Sequence, residues 1–153
     1  MSVDTSISTD SQNFFPGVLT EHNKKARLLN DLAILLGCDG GLHSGFPDGR
    51  RPDVVRIDVV RQILFIGDAK QTETPRCKMT TIRLRSYLRW LRAHVRDAER
   101  LGIVALCFEK RSHRKGWSQT VMDTAAFVGL RTYRHGFCSF GKRLNIVWAV
   151  LTL

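Results

Sequence analysis

Residues 63–70 read ILFIGDAK. The run is apolar through Ile66 and small at Gly67, the pattern of a central strand covered on both faces. Asp68 and Lys70 then interrupt it at its end. They are two apart on a strand, so their side chains leave the same face of the sheet. Upstream, DVVRIDVV at 53–60 reads as a second strand, and Arg61-Gln62 as the tight connection between the two. Such a hairpin brings Asp53, which follows Pro52, towards Asp68. Two carboxylates and an ammonium meeting in one place make a hard-metal site with a basic partner for a water or a phosphate. Asp58 alternates to the opposite face and reads as structural. Asp48 belongs to a turn, Pro47-Asp48-Gly49.

On either side the period changes. Leu28, Leu29, Leu32, Leu35 and Leu36 share one broad helical face, in a helix that begins near Thr20 and stops at Gly37. Glu21 falls near its inward stripe, and a first-turn glutamate favoured by the helix dipole is the plain reading of it. A short twisted strand is expected around Leu42 to Phe46. After the Asp68 strand a long helix is expected from about Thr80 to Arg100, with Leu84, Leu88, Leu91, Val95 and Ala98 as its apolar stripe. Ile103 to Phe108 is another buried strand, and EKRSHRK at 109–115 a charged loop. Ser118 is placed to cap a helix running to about Val128, and LNIVWAVLTL at 144–153 is β-like. Buried strands between helices give an α/β sandwich. Residues 1–16 read as a flexible tail and 17–153 as a single domain, in keeping with a chain of 153 residues.

The net charge is +10. Residues 1–16 hold Asp4 and Asp10 and no Lys or Arg, so the excess lies in the remainder and favours a polyanionic partner. Arg85, Arg89, Arg92 and Arg96 form a basic stripe beside the apolar one on the long helix. Like charges so spaced repel by a few tenths of a kcal/mol per pair, a cost that phosphates would offset; a solvated basic face is the alternative. Arg111, Arg114 and Lys115, after the fourth strand, are read with that stripe as nucleic-acid-binding. The cysteines at 38, 77, 107 and 138 lack the spacing of a zinc or redox site, and His22, His43, His94, His113 and His135 form no zinc set. Reduced thiols, no signal peptide and no spanning apolar run fit a cytoplasmic protein (or one of the nucleoid or a host cytoplasm, if viral) away from the membrane.

The arrangement resembles the PD-(D/E)XK nuclease superfamily, whose restriction-endonuclease-like core runs helix, three strands, helix, strand. The likeness in order covers about residues 18–108, with a C-terminal α/β extension beyond. Pro52-Asp53 stands as the family's proline-aspartate pair and Asp68-Ala69-Lys70 as its acid-x-lysine signature. Glu21 stands where members carry a first-helix glutamate, and Gln71 where many carry a polar residue after the lysine. The resemblance implies Mg²⁺, with Mn²⁺ able to substitute, held by Asp53, Asp68 and the carbonyl of Ala69. Glu21 would orient water on the metal or help a second ion. Lys70 would position or deprotonate the attacking water and stabilise the transition state. The implied reaction is phosphodiester hydrolysis in DNA, leaving a 5′-phosphate. Alanine at Asp68 or Lys70 is expected to abolish cleavage and leave the fold intact. A small basic member also resembles the archaeal-type Holliday junction resolvases, homodimers that serve DNA recombination, and LNIVWAVLTL could supply such an interface or be a core strand. The cutting subunit of a transposition or defence system stands beside that reading. The rival from another class is a catalytically inactive nucleic-acid-binding protein on the same fold.

Overall fold

The computed structural model describes residues 21–42, 46, 51–71, 73–95 and 100–153. The tail at 1–16, Thr20, the turn at 47–49, His43 and Arg96 lie outside them, as does the side chain of Glu21. Helix α1 (Glu21–Leu35) leads to β1 (Gly40–Gly41), β2 (Val54–Asp58) and β3 (Ile63–Ala69). Then come α2 (Lys78–His94), β4 (Leu101–Phe108), a short 3-10 turn (Arg111–His113), α3 (Arg114–Phe127), β5 (Arg131–Phe140) and β6 (Leu144–Thr152). The six strands form one sheet in the order β1-β2-β3-β4-β6-β5. β3 and β4 are parallel and every other neighbouring pair is antiparallel.

β3 is covered on both sides, as its apolar run requires. Phe65 packs under α1 with Leu29, Ala33, Ala105 and Ile146. Leu64 and Ile66 face the larger core, where α2 contributes Leu84, Leu88 and Leu91 and α3 contributes Val121. Gly37 ends α1 in a left-handed conformation, φ +97°, which only glycine adopts cheaply. Gly102 marks a different constraint. A Cβ there would sit 2.7 Å from Cδ2 of Leu91, which is fully buried. Gly102→Ala is therefore expected to cost about 1–3 kcal/mol by overpacking, read as a lowered urea midpoint; an unchanged midpoint would show that α2 can slide away.

Several expectations need correction. β2 stops at Asp58, and the connection is longer than Arg61-Gln62. The Asp58 carboxylate accepts the N–H groups of Val60 and Arg61, each at 3.0 Å, and pairs with the Arg61 guanidinium. The Arg61 backbone N–H, then that guanidinium, holds Asp58 below the usual carboxylate range. Val59 and Val60 are left exposed. The strand expected at Leu42–Phe46 falls mostly outside the described residues; Leu42 and Phe46 themselves are not in a strand, and the two-residue β1 lies just before them. Ser118 caps nothing: α3 starts at Arg114, one turn earlier, with His113 at the cap position and no side-chain cap bond. β5 was not expected at all. β6, by contrast, is an interior strand held between β4 and β5, so neither edge of LNIVWAVLTL is free for a partner strand.

Candidate active site

The hairpin register decides the geometry. Val54 pairs with Gly67 and Ile66 with Val55, so the residue before β2 comes level with the end of β3. Asp53 and Asp68 then lock onto each other's backbone. The Asp53 N–H donates to Asp68 Oδ1 at 3.2 Å, and the Ala69 N–H donates to Asp53 Oδ2 at 2.8 Å. Lys70 Nζ donates to Asp68 Oδ2 at 2.7 Å, and the Lys70 N–H continues the ladder to the Cys107 carbonyl at 2.8 Å. His22, on the first turn of α1, has Nε2 3.2 Å from Asp53 Oδ1. Tyr87 of α2 donates its hydroxyl to the Arg51 carbonyl at 3.2 Å, which fixes the chain just ahead of Asp53. Two helices and two strands thus hold one cluster.

The cluster is dry on one side and open on the other. Asp68 is 5 % and Lys70 1 % exposed. Burial pushes the Asp68 carboxyl up to about 6; the Lys70 ammonium draws it back, and the Asp53 carboxylate adds to the rise. Lys70 also lies 5.9 Å from the centre of the buried Trp117 ring. The open side is a cleft of about 370 Å³ reached by Asp53, Asp68 and Gln71, with Arg51 and Arg83 as its cations. Glu73 lines it too. Burial favours its neutral form, yet the backbone N–H groups of Glu73 itself and Gln71, with Lys70 and Arg83, hold it below the usual range. The Gln71 N–H reaches Glu73 Oε2 at 2.7 Å.

Asp53, Asp68, Ala69, Lys70 and Gln71 therefore share one end of the β2–β3 hairpin, while Glu21 opens the helix that also carries His22. The arginine stripe is divided. Arg89 is exposed. Arg85 stacks on Phe127 of α3 at 4.2 Å and has a buried Nε, and the Arg92 side chain lies against Gly129. The α2 face that meets the cleft carries Arg83 and Tyr87 instead, four residues apart. Arg51, Glu73 and Arg83 were missed; an Arg-x-x-x-Tyr pair one helical turn apart was the available sign of the last. Arg111 and Arg114 both lie over the Phe137 ring, away from the acids.

Among the described residues no group of three or more His, Cys, Asp and Glu side chains is arranged to hold a metal ion. What is present is a pair of hard oxygen donors. Among the described residues each of their four carboxylate oxygens has one partner, and a carboxylate has about four lone-pair sites, so each oxygen keeps one to offer. Mg²⁺ is commonly held by one or two carboxylates, with waters and substrate phosphates completing the shell. The raised Asp68 is a second mark of fit, since a cation between the acids would relieve the repulsion that Asp53 adds. No protein-family model matches this chain, nor does any curated protein or solved structure.

Proposed function

We propose that the protein is a Mg²⁺-dependent endodeoxyribonuclease of the restriction-endonuclease-like type. The observation that carries this reading is the convergence of Asp53 and Asp68 on a cleft rimmed by Arg51 and Arg83, with the buried Lys70 bonded to Asp68 behind them. Asp53 and Asp68 would hold the metal, with the Ala69 carbonyl as a further hard ligand. The bound ion would draw charge from the scissile phosphate and lower the pKa of the attacking water. Lys70, held by Asp68, presents a fixed positive charge for the phosphate oxygens as they gain charge in the transition state. Arg51 and Arg83 bind the flanking phosphates through charge-assisted hydrogen bonds. His22 orients Asp53. A junction or branched DNA as substrate, a two-fold dimer and a cytoplasmic setting belong to the same reading. No helix among the described residues is long and apolar enough to cross a membrane.

Supercoiled plasmid and four-way junction DNA, incubated with Mg²⁺ and with EDTA, test it. Cutting with Mg²⁺ and none with EDTA is expected, and Asp53→Asn should lower the rate by about 100-fold or more. The rate should also rise with pH through about 6, because Asp68 binds the metal only when ionised and burial holds its proton until then. The stability term runs the other way. The folded carboxyl binds its proton more tightly than the unfolded one, so this contribution is largest below about 4 and declines as pH climbs to 6. A protein inert towards every DNA with Mg²⁺ and Mn²⁺ would end the nuclease reading. It would leave the second one, a nucleic-acid-binding protein on the same scaffold, which the internal partner on every carboxylate oxygen favours.

A further inference from the structure

The groove between α3 and β5 lies outside the cleft and is built differently. It encloses about 430 Å³. Its cations are Arg114 and Lys115 from the start of α3, with His135 on the β5 side; its floor is Met122, Phe137 and the backbone of Gly136. Arg111 and Arg114, three residues apart, hold their guanidiniums 5.7 Å and 4.9 Å from the centre of the Phe137 ring. The ring fixes both and repays part of the entropy of ordering them. Among the described residues no carboxylate lies within ion-pair distance of Arg111, Arg114 or Lys115. Asp123, the one acid of α3, accepts from Gln119 at 2.7 Å. Like charges are thus concentrated, two of them held on an aromatic ring, with no carboxylate partner among the described residues and over a floor that is apolar. A hollow of about 340 Å³ adjoins the cleft, sharing Gln71 and Glu73 with it; Lys70, Lys110, His113 and Glu109 also line it.

We infer that the α3/β5 groove binds a single-stranded nucleic-acid segment. Its phosphates sit on Arg111, Arg114 and Lys115, and a base packs on Met122 and the exposed part of Phe137. The apolar floor selects the single strand: a duplex offers the groove only its phosphates, whereas an unpaired base can bury a face there. Nothing in this binding needs the acids of the cleft or a metal ion.

The test is fluorescence anisotropy in EDTA with a labelled 20-nucleotide single strand and the matching blunt duplex. Arg111→Ala with Arg114→Ala is expected to weaken single-strand binding at least tenfold and duplex binding far less. The slope of log affinity against log salt should fall by about 1.4, or about 0.7 for each phosphate left without its arginine. Met122→Ala should weaken the single strand alone. Lys142→Ala with Arg143→Ala removes the same charge from the exposed β5–β6 turn and should leave affinity within twofold. Equal losses from the two double variants would reduce the groove to net charge and overturn the inference, as would equal losses on single strand and duplex. Because no cleavage is involved, a failure of the nuclease reading would leave this result standing.

Discussion

Asp68→Ala is expected to lose stability as well as cleavage, by about 3–5 kcal/mol. The sequence alone suggested a substitution the fold would tolerate, because Asp68 and Lys70 interrupt the apolar run only at its end. Both are buried. Removing the carboxylate leaves the Lys70 ammonium unpaired in a dry position, and the Asp53 N–H loses its acceptor. The raised pKa of Asp68 shows that its own ionisation is costly there, so the loss should sit towards the lower end of the range. Lys70→Met alone should be destabilising for the reciprocal reason. Asp68→Ala combined with Lys70→Met removes both charges and should be more stable than the Asp68→Ala protein. Urea unfolding of the three variants reads this directly. Losses that simply add would mean that the pair does not interact across its 2.7 Å separation. Cleavage should be absent in all three.

Trp117→Ala is expected to cost about 3–5 kcal/mol and to lower the melting temperature by about 10 °C, at roughly 2–4 °C per kcal/mol for a domain of this size. Trp117 is fully buried, its ring centre 6.3 Å from that of Phe108, and among the described residues its Nε1 has no hydrogen-bond partner. Trp117→Phe therefore gives up no hydrogen bond and keeps an aromatic face towards Lys70, so about 1–2 kcal/mol is expected. Assayed well below its melting temperature, the Phe variant should cleave at nearly the native rate while the Ala variant does not. Equal activity of the two would show that the ring supports the core and has no part in holding Lys70. The comparison also separates the two tasks of the C-terminal third, which closes the core and roofs the lysine.

The central hairpin was legible because burial on both faces leaves a continuous apolar run, and such a run is hard to disguise. Asp68 and Lys70 stood out against it for the same reason. β5 was not legible. It is an edge strand with Arg131, Tyr133, Arg134 and His135 all exposed, and a bulge between Thr132 and Arg134 breaks its alternation. The start of α3 was misplaced because Ser118 is a good cap by type, while a basic 3-10 turn with no capping side chain begins the helix instead. The arginines of α2 illustrate a different limit. Spacing put Arg85, Arg89 and Arg92 on one stripe, but spacing carries no information about what the stripe meets. Phe127, from another helix, decides the place of Arg85.

The two acids are tied to each other's main chain, so heredity weighs each on its own account. A lineage that lost the acid at 53 would leave the Ala69 amide without its acceptor, and a change at 68 would do the same to the amide of residue 53. Losing both would orphan both amides, so neither loss relieves the other. Descent of the hairpin alone would therefore keep an acceptor side chain at each position, whether or not the pair serves any chemistry.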